Sequence, residues 1–163
     1  MTGKADFTEE EWTRLKRAPF VAGMAISLSD PGGPIELAKE TAATLKTVTG
    51  AAEQGGRGEL VAAVATEVAA EAKQRQNPLS GFRPKGALAG QEILEELSGV
   101  NEIVSAKASA DDARAYRDWL KDAAREAADA AKEGGFFGFH AVRVSEGEQR
   151  MLDKLGEALA PPA

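Results

Sequence analysis

The stretch SADDARAYRDWLKDAAREAADAAKE, residues Ser109–Glu133, decides the fold of this chain. Ser109 and Asp112 stand three positions apart, the spacing of an N-terminal capping box. Behind them, apolar side chains recur every three or four residues, which predicts a long helix with one buried stripe. The stripe consists of Tyr116, Trp119, Leu120, Ala123, Ala127 and Ala131. The helix is expected to end at Glu133, because two glycines follow.

The same patterns divide the rest of the chain into shorter helices. Thr8 with Glu11, and Ser145 with Glu148, have capping-box spacing, and Pro19 and Pro34 suit the first position of a helix. The predicted helices run from Thr8 to Arg17, from Pro19 to Ser29, from Pro34 to Val48, from Glu59 to Gln76, from Leu88 to Leu97 and onward from Ser145. We therefore predict an all-α fold, a single bundle of six to seven helices. One domain covers residues 1–163, with disordered ends at 1–6 and 161–163.

Two parts of the chain share an order of elements. Trp12, a helix, SDPGGP (Ser29–Pro34) and a second helix form the first part. Trp119, a helix, KEGGFF (132–137) and the helix after Ser145 form the last part. The first and last helical hairpins share this order, and chance similarity between two amphipathic hairpins is the plainer explanation. A true duplication would pack them as a pseudo-symmetric pair.

The composition excludes several classes of function. The chain has no cysteine, one histidine and a formal net charge of −6. Thiolate zinc sites, disulfides and cysteine nucleophiles are therefore absent, and a di-iron bundle would need two Glu-x-x-His pairs. The negative charge disfavours a dedicated nucleic-acid binder. We predict a protein that is not an enzyme and carries no cofactor. The longest uncharged run near the start, Ala18–Ser29, is too short to span a membrane, so we expect a cytoplasmic protein without membrane contact.

Two groups of charged residues are candidate ligand sites. Asp30, Glu36 and Glu133 stand at glycine-rich turns and could hold a hard cation together with loop carbonyls, although turn and capping roles explain them equally well. From Ala72 to Gln91 the chain has no acidic residue. This segment contains Phe82 and a candidate anion patch of Lys73, Arg75, Arg83 and Lys85. A solvated face is the plainer interpretation of such spaced charges.

A glycine-rich loop concentrates the aromatic residues. GGFFGFHAVRVSEGE (134–148) holds Phe136, Phe137 and Phe139, half of the six phenylalanines, followed by the one histidine, His140. Because most inward positions of the bundle are alanine, the rings could fold inward and plug the space at its end. Exposed, they would form an interaction patch for a partner protein or a second copy. The expected assembly is a monomer or weak homodimer.

Two segments carry a family resemblance: EEEWTRLKRAPFVAGMAISLSDPGGPIELAKE (9–40) and AAKEGGFFGFHAVRVSEGEQRMLDKLGEAL (130–159). They resemble a family of small, uncharacterised bacterial all-α proteins and, in more distant outline, the tellurite-resistance TerB-like fold. That fold has an Ala-Asp-Gly turn followed by Ser or Thr and then Glu. The positions that match are Asp30, Gly32, Gly33, Ile35 and Glu36 in the first half, and Glu133, Gly134, Val144, Ser145 and Glu148 in the second.

The resemblance covers about half of the chain. Asp-Pro replaces the family's Asp-Gly, and Glu133 replaces the second Asp. The resemblance implies a non-enzymatic interaction or stress-associated protein. The alternative is a metal- or small-ligand-binding protein that uses the acidic turn near Asp30.

Truncation of the phenylalanines separates the plug from the patch. Replacing a buried phenylalanine by alanine costs roughly 3 to 5 kcal/mol, whereas an exposed one costs within about 0.5 kcal/mol. We expect at least one of Phe136→Ala, Phe137→Ala and Phe139→Ala to lower the free energy of unfolding by more than about 2 kcal/mol in a urea titration. Three variants that unfold like the parent would contradict the plug and favour the patch.

Overall fold

A computed structural model describes the backbone of residues 2–29, 34–133 and 145–163, and their side chains except those of 34–38, 40 and 131–133. These residues form six α-helices and no strand, which confirms the predicted all-α bundle. The helices are α1 (Glu9–Ser29), α2 (Pro34–Gln54), α3 (Glu59–Lys73), α4 (Ala89–Lys107), α5 (Ala110–Glu133) and α6 (Glu146–Ala158). Two short 3₁₀ helices, Lys4–Asp6 and Gly86–Leu88, precede α1 and α4.

Helices α1 and α5 form the centre of the bundle, and each contacts all the other α-helices. The predicted stripe of α5 is buried from Tyr116 to Ala127, and Ala131 lies beyond the described side chains. Trp119 packs edge-on against Tyr116, with ring centroids 5.7 Å apart. Alanines on the same face let neighbouring helices approach closely. The helix that the sequence marks most strongly is therefore the one around which the others pack.

The predicted break before Pro19 is wrong, because α1 is one helix of 21 residues with Pro19 inside it. A proline inside a helix has no N–H to donate to the carbonyl four residues earlier, which here belongs to Leu15. The Tyr116 hydroxyl of α5 donates a hydrogen bond to that carbonyl at 2.7 Å. A contact from 101 positions along the chain thus replaces the missing helical hydrogen bond.

The Tyr116 hydroxyl keeps its proton at this site. Burial raises the pKa of Tyr116 well above its usual range, and the nearby negative charge of Glu96 acts in the same direction. A deprotonated hydroxyl could only accept, so the raised pKa keeps the Leu15 carbonyl partnered over the whole physiological pH range.

Helix α4 is longer than predicted, and its predicted end at Leu97 is wrong. Val100 and Val104 continue the buried stripe of Ile93 and Leu97, so burial extends the helix to Lys107. Gly99 interrupts helix propensity on the face where the Arg14 guanidinium lies against it, and a Cβ would collide with that guanidinium. Gly99 thus leaves room for the Arg14 guanidinium in its present position.

Two other predicted boundaries also shift. Helix α2 extends to Gln54, beyond its predicted end at Val48. Helix α3 ends at Lys73 instead of Gln76, and Arg75 adopts a left-handed φ of 56°.

The N-terminal residues pack on the bundle, in contrast to the disordered end expected for residues 1–6. Thr2 is buried, and its hydroxyl accepts a hydrogen bond from the Ser109 amide at 3.0 Å. Lys4 pairs with Glu67 of α3 at 3.1 Å. Residues 161–163 are exposed and have no regular secondary structure.

The two predicted hairpins correspond to α1–α2 and α5–α6, and the helices of each pair are in contact. Ser145 and Glu148 form the predicted capping box of α6, with both hydrogen bonds present. The turns that join each pair lie outside the described residues, so the duplication stays a prediction.

Replacing Pro19 tests the Tyr116 contact by a double-mutant cycle. Tyr116→Phe leaves the buried Leu15 carbonyl without a partner and should cost about 1 to 3 kcal/mol of the free energy of unfolding. Pro19→Ala restores the helical N–H donor, so Tyr116→Phe should cost less in that background, by about 1 kcal/mol, in urea titrations of all four proteins. Equal costs of Tyr116→Phe in both backgrounds would show that the hydroxyl does not compensate for the proline.

Candidate functional site

Several sequence candidates lie where the structure gives no geometry. Asp30, Phe136, Phe137, Phe139 and His140 lie outside the described residues, as do the side chains of Glu36 and Glu133. Among the side chains that are described, no three His, Asp or Glu residues form a group that could hold a metal ion. None of the helices within residues 2–29, 34–133 and 145–163 is long and apolar enough to cross a membrane.

The candidate anion patch lies on the surface between α3 and α4. Lys73, Arg75, Arg83 and Lys85 are all exposed. The Arg17 guanidinium covers one face of the Phe82 ring, at 5.1 Å from its centroid, and the ring packs against the hydrophobic core. Arg83 borders a shallow depression together with the acidic residues Glu92, Glu95 and Glu96. Acidic residues from α4 thus accompany the basic loop in space, and the anion patch stays a prediction.

Two ion clusters join α1 to its neighbours. Glu96 of α4 accepts hydrogen bonds from both Arg14 and Arg17, and its side chain is only 10% exposed. On the other side of α1, Glu67 of α3 accepts from Lys16 and from the Trp12 indole. Lys16 also pairs with Glu71. Every carboxylate in these clusters has a cationic partner on another helix, so the ion pairs hold α1 against α3 and α4.

A third cluster buries a guanidinium. Arg117 is 8% exposed and donates to Asn101 Oδ1 at 2.7 Å and to Ser105 Oγ at 2.6 Å. Asn101 in turn donates to the carbonyls of Ala158 and Ala160 at 3.1 and 2.7 Å. Burial lowers the pKa of Arg117, although the charge of Asp118 opposes that shift. The cluster fixes the end of α6 on α4 and α5.

The Asp112 carboxylate caps the start of α3 and is held by Ser109, the residue that caps α5. Its Oδ1 accepts from the amides of Glu59 and Leu60 at the start of α3, at 3.0 and 3.3 Å. Its Oδ2 accepts from Ser109 Oγ at 2.9 Å, and the Asp112 amide donates to Ser109 Oγ at 3.2 Å, which is one half of the capping box predicted for α5. The Ser109 amide, which would complete that box, donates to Thr2 Oγ1 instead. Gly58 makes this approach possible, since a Cβ there would lie 2.8 Å from Oδ1 and its φ is 89°.

The charged form of Asp112 is favoured by these contacts. Burial alone would raise the pKa of Asp112, but hydrogen bonds from Thr2, Ser109 and the amides of Leu60 and Glu59 outweigh it and lower the pKa. The carboxylate is therefore ionised at neutral pH and has a capping role.

The clearest surface feature that is not used by the bundle itself is a groove between α2 and α5, called the α2–α5 groove below. Small residues form its floor, among them Ala43, Gly50, Ala51 and Ala130. Lys39 and Lys46 stand on the α2 wall, and Asp122, Glu126 and Asp129 on the α5 wall. Lys39, Lys46 and Glu126 are exposed and form no ion pair with a described residue. The groove thus has one positive and one negative wall.

Contacts with other helices fix how the two walls align. A Cβ on Gly23 would lie 2.6 Å from Thr44 Oγ1 and 3.8 Å from Ala127 Cβ, so Thr44 and Ala127 lie at one height. Beyond the end of α2, Arg57 pairs with Asp122, nearer the start of α5, so α2 and α5 are antiparallel. Lys46 is two residues after Thr44 on α2, which is about 3 Å further along the groove. Glu126 is one residue before Ala127 on the antiparallel α5, which is about 1.5 Å further in the same direction. Lys46 and Glu126 face each other across the groove at nearly one level.

Comparison with protein-family models, with curated proteins and with solved structures finds no match for this chain. A role for the groove therefore rests on its own geometry and charge.

Sequence patterns predict these sites only weakly. The groove has a weak signal: Lys39 and Lys46 are seven residues apart on α2, as are Asp122 and Asp129 on α5. Two helical turns separate each pair, so each pair lies on one face. Only the fold shows that the two faces meet.

Acid titration tests the capping of α3 by the Asp112 carboxylate. Because its folded-state pKa is lowered, Asp112 contributes stability above its unfolded-state pKa of about 3.9, and this is lost as the pH falls through the folded-state value. Asp112→Asn should therefore lower the free energy of unfolding by about 1 to 2 kcal/mol at pH 7. Below about pH 3 the difference from the parent should shrink. Urea titrations at several pH values measure it.

Asp111→Asn is the matched control. Asp111 is exposed, and its replacement by Asn removes the same charge one position earlier in the chain. A parent–variant difference for Asp112→Asn that is constant from pH 7 to pH 3 would contradict the capping role of the charge.

Proposed function

We propose that this chain is a non-catalytic helical protein that acts by associating with protein surfaces, and that it associates first with a second copy of itself through the α2–α5 groove. The observation that supports this proposal is the opposite charge of the two groove walls. Association with a protein surface does not require a catalytic group of side chains. The described acid clusters instead tie helices together, whereas Lys39, Lys46 and Glu126 are exposed and form no ion pair with a described residue.

Symmetry makes a groove of this kind complementary to itself. In a twofold dimer the same patch meets its own copy. When the twofold axis runs parallel to the groove, it exchanges the positions of the α2 wall and the α5 wall. Every residue keeps its position along the groove. The α2 wall of one copy then faces the α5 wall of the other. A twofold axis across the groove would instead place lysine against lysine.

The heights of the charged residues favour the first arrangement. Lys46 and Glu126 lie at nearly one level, so an axis along the groove brings Lys46 of each copy to Glu126 of the other. Symmetry forms this pair twice. The floor of alanine and glycine lets the two surfaces approach without steric conflict.

The expected dimer is weak. Exposed ion pairs contribute roughly 0.2 to 1 kcal/mol each and are screened by salt. Association should therefore depend on concentration and decrease at high ionic strength. A weak, reversible contact also suits a surface that exchanges its own copy for another protein with the same pattern of charges.

The resemblance to bacterial TerB-like proteins supports a wider context for this role. It favours a stress-associated interaction protein in the bacterial cytoplasm, and the absence of cysteine fits a reducing compartment. The partner in the cell would carry an acidic and a basic row on one surface.

A charge swap tests the dimer. Lys46→Glu places a carboxylate against Glu126 of the second copy at two symmetric positions, and Glu126→Lys places two cations together. Each single variant should weaken dimerisation about 5- to 30-fold, measured by sedimentation equilibrium at low salt. Combining Lys46→Glu with Glu126→Lys restores opposite charges and should restore the dimer.

Arg83→Glu is the control, because Arg83 is an exposed cation that lies between α1 and α4, away from the groove. It should leave association unchanged. A parent protein that is monomeric at all concentrations, or a double variant no stronger than the single variants, would contradict association through this groove.

A further inference from the structure

A small cavity lies on another side of the molecule, between α1, α2 and the turn that follows α3. Its volume is about 190 Å³. The described residues that line it are Phe20, Gly23, Met24, Ser27, Thr41, Thr44, Pro78 and Leu79. None of these side chains is charged.

The inner part of the cavity is formed by the close approach of α1 and α2. Phe20, Gly23 and Thr44 are buried there. Because Gly23 has no side chain, Thr44 Oγ1 reaches to 2.6 Å from the position of a Cβ. A larger residue at position 23 would push the helices apart. The inner part is thus held at fixed width by helix packing.

A short turn, residues 77–82, forms the outer wall. Asn77 Oδ1 accepts from the Leu79 amide at 2.9 Å, and the Phe82 amide donates to the Leu79 carbonyl at 2.9 Å. Ser80 and Gly81 both have positive φ, at 48° and 84°. Arg17 stacks on Phe82 and holds the end of the turn on α1. Pro78 and Leu79 are therefore positioned against the cavity by a defined turn.

The cavity has a mouth and a mixed lining. Thr41 is exposed, and Met24, Ser27 and Leu79 are partly exposed, so these residues border the solvent. Phe20, Met24 and Leu79 offer apolar contact, and three hydroxyl groups stand among them. A hydroxyl oxygen has two acceptor lone pairs and can serve more than one partner.

We propose that this cavity binds one small uncharged molecule, with a compact apolar body of about the size of benzene and no more than one or two polar atoms. The volume sets the size, since an apolar cavity of about 150 Å³ is known to hold benzene. The lining sets the class, because among the described lining residues a charged ligand would lose its hydration without meeting an opposite charge. This ligand site is separate from the α2–α5 groove and does not depend on dimerisation.

Methionine methyl groups offer a direct test with benzene as the probe. The chain has three methionines. Met24 lines the cavity, whereas Met151 lies beside Gly90 between α4 and α6, its Cε 3.8 Å from the position of a Cβ there. In methyl-labelled protein, benzene should produce a saturable ring-current shift of the Met24 signal and leave Met151 in place. Benzoate, of similar shape but charged, should produce no saturable shift.

Leu79→Trp places an indole ring at the cavity and should weaken benzene binding about tenfold or more. Leu88→Trp is its matched control, because Leu88 is 63% exposed and lies outside the cavity. It should bind benzene like the parent. The melting curve of each variant establishes that it folds, and nuclear Overhauser contacts between benzene and the Met24 methyl group in the parent locate the site without any variant.

Two results would overturn the proposal. One is a Met24 signal that does not shift, or that shifts in proportion to Met151 without saturation. The other is undiminished benzene binding in a folded Leu79→Trp variant.

Discussion

One backbone carbonyl constrains the centre of this fold. Pro19 removes the hydrogen bond that the Leu15 carbonyl would receive inside α1, and a buried carbonyl without a donor is costly. The Tyr116 hydroxyl supplies the donor at 2.7 Å. This bond fixes the height of α5 against α1 at the point where the two central helices meet. Gly23 lies one turn beyond Pro19 on α1, and it then determines how closely α2 and α5 approach α1.

Local patterns predict the helices well where the sequence and the packing agree. The Ser109 cap and the stripe from Tyr116 to Ala127 are visible in the sequence, and the structure confirms both. The second hydrogen bond of the predicted capping box is replaced by one from the Ser109 amide to Thr2. The predicted break at Pro19 was wrong because the rule for proline considers only the helix itself. The compensating group lies on α5, and no local pattern can reveal it. The predicted end of α4 at Leu97 is also wrong, because Val100 and Val104 continue the buried face of the helix.

The charged residues divide into two groups with different roles. Glu96, Glu67 and Asp112 are held by partners on other helices and maintain the bundle. Lys39, Lys46 and Glu126 are exposed around the α2–α5 groove. Composition alone cannot separate these groups, because a glutamate on a helix looks the same in the sequence whether an arginine reaches it or not. The candidate site could therefore be located only after the interhelical pairs were assigned.

The position of α5 in the chain has a consequence for synthesis. The helix that completes the core begins only at Ala110, and its Tyr116 is 101 positions from Leu15. A ribosome adds roughly 5 to 20 residues per second, so α1 and α2 are synthesised several seconds before α5, whereas α4 directly precedes it. During that interval their apolar faces and the Leu15 carbonyl have no native cover from α5. The native hydrogen bond to the Leu15 carbonyl can therefore form only late in synthesis.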